Sequence, residues 1–319
     1  MKAVKGHDEQ KKFAQELSRT WLCVCTSNPG SGQAVCRADA GQPQTGKYQP
    51  MAKINPLTPP VKGSIPIAFP ISEGTQLIDF AGPWEVFDGV VKPGTTNESA
   101  FEVYTVAETL KPISASGMKI VPDYAFEAAP APKLIVIPAQ GGATKAMIDW
   151  IRMSSKSTDV TMSVCTGAFV LARTGLLSGK SATTFHEAFD GFARQYPDIK
   201  LIRGARFVED GNLASSGGLT SGMDLAFRVL ERYFGREVTE KLAFQLEYQG
   251  KGWMNADSNE LYAKYESPKK PTTGPFCPVC SMEGDLSITS SYKGKTYYFC
   301  MQEHRSTFDE APEDFVKAT

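Results

Sequence analysis

Long apolar runs are missing from this sequence, and so is an excess of charge of either sign. No uninterrupted apolar run approaches the roughly 18 residues that a membrane-spanning helix requires. The net charge is −1, which gives no electrostatic reason to expect binding to nucleic acid or to an anionic membrane. The first 30 residues also lack the basic-then-apolar layout of a secretory signal. We therefore expect a protein that is neither secreted nor membrane-bound.

A complete set of disulfide partners is missing as well, because the seven cysteines form an odd number. Three of them, Cys277, Cys280 and Cys300, lie close together near one end of the chain. This distribution favours metal ligation and catalysis in a reducing compartment over a disulfide framework. The expected location is therefore the cytoplasm.

The composition divides the chain into four regions. Residues 1–62 are rich in Gly, Pro, Gln and Ser, so we expect them to be disordered or to precede a true translation start at Met51. Residues 63–249 carry the main domain. Residues 250–275 are polar and contain three prolines, Pro268, Pro271 and Pro275, which predicts a solvated linker. Residues 276–317 form a small separate module.

The main domain is predicted to be an α/β domain. Stretches 65–71, 101–106 and 133–138 have strand-like patterns, and the last is continuously apolar, as in a strand buried on both faces. Helical patterns alternate with them through short loops. This alternation predicts a doubly wound, mainly parallel sheet with helices on both faces. In such sheets, ligands bind beyond the carboxyl ends of the strands.

The stretch 159–171 is the most informative, because a strand-like run ends at Cys165 and a helical pattern follows. A strand that turns sharply into a helix with one reactive side chain at the corner is a nucleophile elbow. The helix N-terminus favours negative charge, so we predict a Cys165 thiolate near neutral pH. Gly167 would allow close backbone approach at the turn. The alternative is a small, buried and inert cysteine.

Two further loops converge on this corner by topology alone. One holds Asp79 and the other holds Gly141 and Gly142, each after a predicted strand. Their simpler interpretations are that Asp79 only complements a helix dipole and that the glycines only permit a tight turn. The convergence nevertheless defines a candidate site for a small-molecule substrate.

Four motifs support this site because they occur in a fixed order. They are Asp79-Phe80-Ala81-Gly82-Pro83-x-Glu85-Val86-Phe87, Ile137-Pro138-x-x-Gly141-Gly142, Val164-Cys165-Thr166-Gly167-Ala168 and Gly217-Gly218-Leu219-Thr220-Ser221-Gly222-Met223-Asp224. Together they resemble the ThiJ/PfpI superfamily and, within it, the isonitrile hydratase-like branch, over about residues 64–249. The resemblance implies a flavodoxin-like fold of the class I glutamine amidotransferase-like type and a homodimer.

The resemblance also implies a lyase reaction that needs no cofactor. Cys165 would attack an isonitrile carbon, Asp79 would handle protons and water, and Thr166 would help to position the ligand. The product would be an N-substituted formamide. The residue types suit this chemistry, because a thiolate adds to an electrophilic carbon and a carboxylate can activate water. The backbone N–H groups of Thr166 and Gly142 could stabilise developing charge.

The sequence leaves open whether His186 takes part in catalysis. Many relatives carry a histidine directly after the threonine pair, at the position where this chain has Phe185. His186 lies one position later and would point elsewhere if the segment is already helical. The sequence therefore does not support a cysteine–histidine dyad, and a histidine at a helix terminus is the alternative.

The small module has the spacing of a zinc site. Cys277 and Cys280 are separated by two residues, and Cys300 and His304 by three, which suits tetrahedral ligation. Four protein ligands leave no open position, which predicts a structural site. The module has few core residues, so we expect it to need a bound metal ion to fold. The alternative is a module of free thiols whose spacing is incidental.

The Cys277–Met282 opening and the run Tyr297–Cys300 resemble the YHS/TRASH family of metal-binding domains. There the closing pair is commonly two cysteines, whereas here His304 takes the second place. Because imidazole is a harder ligand than thiolate, the exchange favours zinc over a softer metal.

Two rival functions stay open. Many relatives join this domain to a helix-turn-helix pair and regulate transcription, but residues 250–319 show no such pattern. A metal or redox sensor is compatible with the module, because an oxidisable cysteine accompanies it. Glyoxalase- or deglycase-like chemistry is the third possibility. It usually employs a glutamate ahead of the cysteine, so Asp79 speaks against it.

Overall fold

A computed structural model describes residues 55–265 and 274–316. The predictions for residues 1–54, including a start at Met51, and those for residues 266–273 lie outside the described residues. Residues 55–62 have no regular secondary structure. They are nevertheless attached to the domain, because the Leu57 N–H donates to the Arg232 carbonyl at 2.8 Å.

Eleven strands and five helices form the main domain within the described residues. The strands are β1 Ile65–Pro70, β2 Phe101–Ala107, β3 Ile113–Ala115, β4 Met118–Ile120, β5 Tyr124–Ala125, β6 Leu134–Ile137, β7 Val160–Ser163, β8 Ser181–Ala182, β9 Lys200–Leu201, β10 Phe207–Asp210 and β11 Leu213–Ser216. The helices are α1 Leu77–Asp88, α2 Lys145–Ser154, α3 Gly167–Arg173, α4 Phe189–Gln195 and α5 Ser221–Gln245. Short 3₁₀ turns connect some of them.

Seven of these strands form one sheet in the order β10-β11-β7-β6-β1-β2-β5. Every pairing is parallel except that of β10 with β11. The chain builds outward from β1 to β2 and then crosses back to β6 on the other side, which creates a topological switch point. The predicted doubly wound, mainly parallel sheet is confirmed.

The sheet is buried on both faces, and β6 shows why. Leu134 and Val136 pack into a core with α1 and α5, whereas Ile135 and Ile137 pack into a second core with α2, α3 and α4. Alternate residues of a strand point to opposite faces. A continuously apolar strand is therefore required wherever helices cover both faces.

One helix prediction needs correction. The motif that begins at Asp79 predicts a helix with Pro83 at a first helical position, but α1 begins at Leu77 and holds Pro83 in its interior. Proline has no N–H, so the usual hydrogen bond to the Asp79 carbonyl is missing. The sequence also predicts two helices, over residues 219–234 and 238–248, and this prediction is confirmed: α5 consists of two helical segments that meet at a kink at Gly235, where φ is +82°.

The prediction of a solvated linker is wrong for residues 253–259, which pack against the main domain. Trp253 is 2% exposed, and its N–H donates to the Asp224 carboxylate at 2.8 Å. The Arg206 N–H donates to the Ala256 carbonyl, and the Asn259 side chain is buried. Trp253 supplies apolar area that a solvated linker would not bury, so this part of the chain is packed against the domain.

The C-terminal module is a hairpin followed by a helix. Its elements are β12 Asp285–Tyr292, β13 Lys295–Phe299 and α6 Gln302–Glu310. Its core cluster has few buried side chains: Cys277, Val279, Cys280, Phe299 and Phe308. Across the described ranges, no helix combines the length and apolar character that crossing a membrane would take.

Candidate active site and metal cluster

Cys165 lies at a sharp corner between β7 and α3. Its φ is +57°, a left-handed conformation that costs a non-glycine residue energy and is common at functional sites. The corner packs so tightly that a Cβ at Gly167 would lie 2.2 Å from the Ile137 carbonyl oxygen. The predicted strand–turn–helix elbow is therefore present, and glycine at position 167 is a steric requirement.

Asp79 reaches this corner from the first turn of α1. Its side chain is fully buried, and its Oδ2 accepts a hydrogen bond from the Ala139 N–H at 3.1 Å. Its Oδ1 is buried without a conventional hydrogen-bond partner. The carboxyl group interacts with the Cys165 side chain, although that contact falls short of full hydrogen-bond geometry. The two groups can therefore share a proton.

Burial changes the proton affinity of both groups. Desolvation raises the pKa of Asp79 from 3.8 to about 7, and the hydrogen bond from Ala139 and the interaction with Cys165 lower it by less. Desolvation also raises the pKa of Cys165 to about 12, and the charge on Asp79 adds to this. The prediction that Cys165 is a thiolate near neutral pH is therefore wrong for the site without substrate. The loss of hydration raises the pKa of the thiol by more than the helix N-terminus lowers it.

Two backbone N–H groups do face the sulfur of Cys165. They belong to Thr166 and Leu219, and both lower the pKa of the thiol, although by less than burial raises it. Leu219 was not predicted as a site residue. It follows a glycine pair after β11, has φ of +50°, and reaches Cys165 only because β11 lies beside β7 in the sheet.

The role predicted for Gly142 needs correction. Its N–H donates to the Glu73 carbonyl at 2.9 Å, and the Gly141 N–H donates to the same oxygen at 3.2 Å. Both donors are therefore committed to holding the loop after β1. The N–H groups of Thr166 and Leu219 are better placed to stabilise negative charge on the sulfur.

His186 does not form a dyad with Cys165. It lies in a 3₁₀ turn, His186–Ala188, and its ring stacks on Tyr262 at 4.5 Å and meets the edge of Tyr265 at 4.6 Å. Instead, the Thr184 hydroxyl donates to the Cys165 carbonyl at 2.9 Å. The threonine pair thus supports the backbone of the elbow.

Cys277, Cys280, Cys300 and His304 form one cluster, as their spacing suggested. Their ligand atoms all lie within 4.8 Å of one another. Cys280 Sγ is 3.4 Å from Cys300 Sγ, and His304 Nδ1 is 3.1 Å from Cys300 Sγ and 3.6 Å from Cys277 Sγ. Tetrahedral zinc would place sulfurs about 3.8 Å apart and sulfur and nitrogen about 3.6 Å apart.

The donor set of the cluster also suits a cation. Hydrogen bonds from Cys280 and Cys300 hold the pKa of Cys277 well below its usual range. Contacts with Cys277 raise the pKa of Cys280 and of Cys300, so the cluster presents one thiolate, the form in which cysteine binds metals. Three sulfurs and one imidazole, all close together and mostly buried, can bind a metal ion.

The sequence pattern of the DJ-1/PfpI family matches residues 66–232. This chain belongs to the DJ-1/PfpI family. The match includes Asp79, Gly142 and Cys165 and ends before the C-terminal module. It accounts for the sheet, the elbow and the buried carboxyl group together.

Two curated relatives show how the family is used elsewhere. Isonitrile hydratase of Pseudomonas putida is 32% identical over 196 residues, which cover 58% of this chain and 79% of that protein. The HTH-type transcriptional regulator CdhR of Pseudomonas aeruginosa is 28% identical over 137 residues, which cover 42% of this chain and 40% of the regulator. The family domain thus occurs both in an enzyme and in regulators.

Among solved structures, a THiJ/PfpI family protein from Pseudomonas syringae resembles this DJ-1/PfpI domain. Its TM-score is 0.52 and its sequence identity is 23%, and the match covers 59% of this chain and 76% of that one. At this level of identity, the likeness concerns the fold alone. It agrees with the flavodoxin-like arrangement of the family.

The buried carboxyl group predicts a pH-dependent stability. The pKa of Asp79 is higher in the folded chain than its ordinary value of 3.8, so folding takes up a proton and stability falls as pH rises from 3.8 to about 7. A change from 3.8 to about 7 corresponds to about 4 kcal/mol. Asp79→Asn keeps an acceptor for the Ala139 N–H and removes the titration.

We therefore expect urea unfolding to show a gain in the stability of Asp79→Asn relative to wild type between pH 5 and pH 8.5. Asp88→Asn, at the exposed end of the same helix, is the matched control. An identical pH dependence in wild type and Asp79→Asn would contradict the raised pKa.

Proposed function

We propose that this chain is an isonitrile hydratase-type enzyme that adds water to an isonitrile or a similar small electrophile. The supporting observation is the buried Asp79 carboxyl group beside Cys165 at the elbow. A pKa of about 7 for Asp79 lets it act both as a base and as an acid near neutral pH. The relative named isonitrile hydratase, from Pseudomonas putida, is 32% identical to this chain over 196 residues.

In the first step, Asp79 removes the proton of the Cys165 thiol as the sulfur attacks the terminal carbon of the isonitrile. The S–C bond forms, and Asp79 returns the proton to that carbon, which gives a thioimidate. The raised pKa of the thiol means that the base must act during the attack. The N–H groups of Thr166 and Leu219 stabilise the charge on sulfur.

In the second step, the Asp79 carboxylate removes a proton from water as the water oxygen attacks the thioimidate carbon. The same proton goes to the nitrogen. The tetrahedral adduct then loses the sulfur of Cys165, which regains its proton when the hydroxyl group becomes a carbonyl. The balance is one isonitrile and one water converted into one N-substituted formamide, with the enzyme unchanged.

The rival functions are less well supported. Glyoxalase- or deglycase-like chemistry usually employs a glutamate ahead of the cysteine, and here the acidic group beside Cys165 is Asp79. The CdhR-type regulators are matched over less than half of their length. In the described part of residues 252–316, the chain forms short turns, a hairpin and a single helix, whereas a helix-turn-helix requires a packed pair of helices.

The proposal predicts that the purified full chain converts cyclohexyl isocyanide into N-cyclohexylformamide. The product can be followed by NMR or gas chromatography, with metal bound and after treatment with a chelator. Buffer with heat-inactivated protein is the control. If neither form hydrates any of a panel of alkyl and aryl isonitriles, the enzyme assignment fails and a regulatory or sensing role becomes the better hypothesis.

For the small module, we propose a structural zinc site of the YHS type. Cys277, Cys280, Cys300 and His304 would hold the ion, which would then supply a fixed cross-link and no chemistry. The spacing, the short distances within the cluster and the small core all support this. The histidine in place of a fourth cysteine favours zinc over a softer metal.

A further inference from the structure

The C-terminal module lies directly against a loop of the active site. The Thr307 hydroxyl donates to the Gly141 carbonyl at 2.9 Å, and this hydrogen bond is buried. A Cβ at Gly141 would lie 2.7 Å from Glu303 Cβ and 3.0 Å from Met301 Sδ. Gly141 lies between β6 and α2, in one of the three loops around Cys165. The contact is too close to admit a methyl group.

A second set of contacts involves α4. A Cβ at Gly191 would lie 2.4 Å from Ser281 Cβ, and the Gln195 side chain donates to the Pro278 carbonyl at 3.1 Å. Ser281 has φ of +60°. The backbone of the first metal-ligand pair is thus seated against a helix of the main domain.

A third contact involves α3, the helix that begins at the elbow. The Arg173 guanidinium lies over the Phe315 ring at 4.4 Å and pairs with Asp314 at 3.4 Å. Its Nη1 donates to the Ala143 carbonyl at 2.7 Å. The Arg173 side chain is only 5% exposed, whereas that of Asp314 is 44% exposed, so only the Arg173 side of this contact is shielded from water.

Each ligand of the cluster has a chain neighbour that makes one of these contacts. The pairs are Cys277 with Pro278, Cys280 with Ser281, Cys300 with Met301, and His304 with Glu303. Fixing a ligand side chain also fixes the backbone beside it. Metal binding and docking of the module are therefore mechanically coupled.

The cluster itself faces the elbow. A space of about 20 Å³ separates Thr166 and Gly141 on one side from Cys280 and His304 on the other. Thr166 is the residue next to the nucleophile, and Cys165 is only 7% exposed. The module therefore borders the elbow at Thr166.

We propose that the C-terminal module is a metal-dependent cover for Cys165. With metal bound, the module is folded and docked, and the thiol is shielded. Without metal, its small core does not hold the ligand loops in place, so the contacts at Gly141 and Gly191 are lost and Cys165 becomes accessible. The proposal rests on the metal assignment and is independent of the isonitrile reaction.

The test is the rate at which iodoacetamide alkylates Cys165 in the full chain, followed by mass spectrometry of the peptide that contains it. Zinc-loaded protein is compared with protein stripped by a chelator. We expect roughly tenfold faster alkylation after stripping, because local opening then exposes the thiol. Equal rates, or a chain that binds no zinc, would overturn the proposal.

A second variant separates docking from metal binding. Gly191→Ala places a methyl group against Ser281 and leaves all four ligands intact, so we expect faster alkylation with zinc still bound. Glu240→Ala, on the exposed face of α5, should match wild type. If Gly191→Ala proves misfolded by circular dichroism, Thr307→Val removes the donor to the Gly141 carbonyl instead. If these variants are folded and bind zinc but Cys165 is alkylated as slowly as in wild type, the proposal that the module covers Cys165 is refuted.

Discussion

Replacing Cys165 by alanine is expected to abolish isonitrile hydration, with turnover reduced by about 10³-fold or more. The reason is that the S–C bond of the thioimidate can form only on this sulfur. Cys165→Ser should be nearly as inactive, because a hydroxyl has a much higher pKa than a thiol and Asp79 is too weak a base to activate it. The measurement is formamide production at saturating cyclohexyl isocyanide.

Asp79→Asn is expected to lose turnover to a similar extent. Among the described residues that interact with the thiol, Asp79 is the one that can remove its proton. In wild type, the rate should rise with pH through about 7, the pKa of the Asp79 carboxyl group, because the base must be ionised. That rise should be absent from any residual activity of the variant. Asp88→Asn is the control.

Two outcomes would contradict this mechanism. One is a Cys165→Ala variant that still hydrates isonitriles at the wild-type rate. The other is a wild-type pH profile that is flat between pH 5 and pH 9. Either result would place the chemistry elsewhere in the chain.

Loss of the metal is expected to unfold the C-terminal module while the main domain stays folded. Structural zinc contributes about 10–16 kcal/mol in small zinc-finger peptides, whereas the core cluster of this module has only five buried apolar or thiol side chains. Cys280→Ser should lower the affinity for zinc by more than about 100-fold. Its alkylation and proteolysis patterns should match those of chelator-treated wild type.

Elemental analysis should find about one zinc ion per wild-type chain and much less in Cys280→Ser. Limited proteolysis should cut the variant within 274–316 and leave the main domain intact. Ser306→Ala, an exposed change on α6, is the control. A metal-free module that resists proteolysis as well as the zinc-loaded form would contradict the structural role of the metal.

Much of the architecture could be predicted because it depends on local patterns. The run Leu134–Ile137 is apolar at every position, and only a strand covered on both faces needs that. The change from strand-like to helix-like pattern at Cys165 marks the elbow. The spacing of Cys277, Cys280, Cys300 and His304 marks the cluster, since two tight turns can each present a pair of ligands.

The properties of the site could not be predicted in the same way, because they depend on neighbours that are distant in the chain. Leu219 contacts the sulfur only through the pairing of β11 with β7. The Gly142 N–H is committed to Glu73, about seventy residues earlier. Tyr262 and Tyr265, from a segment expected to be a linker, hold His186.

The sequence by itself determined the parallel sheet, the position of the cysteine at a strand–helix corner and the spacing of four metal ligands, because each depends on periodicity or on separation along the chain. Only the tertiary structure decided that Cys165 rests as a thiol, that Asp79 is the group poised near neutrality, and that the module lies over the Gly141 loop. Those outcomes depend on how much water each group loses and on which surfaces meet. Both are set by packing in three dimensions.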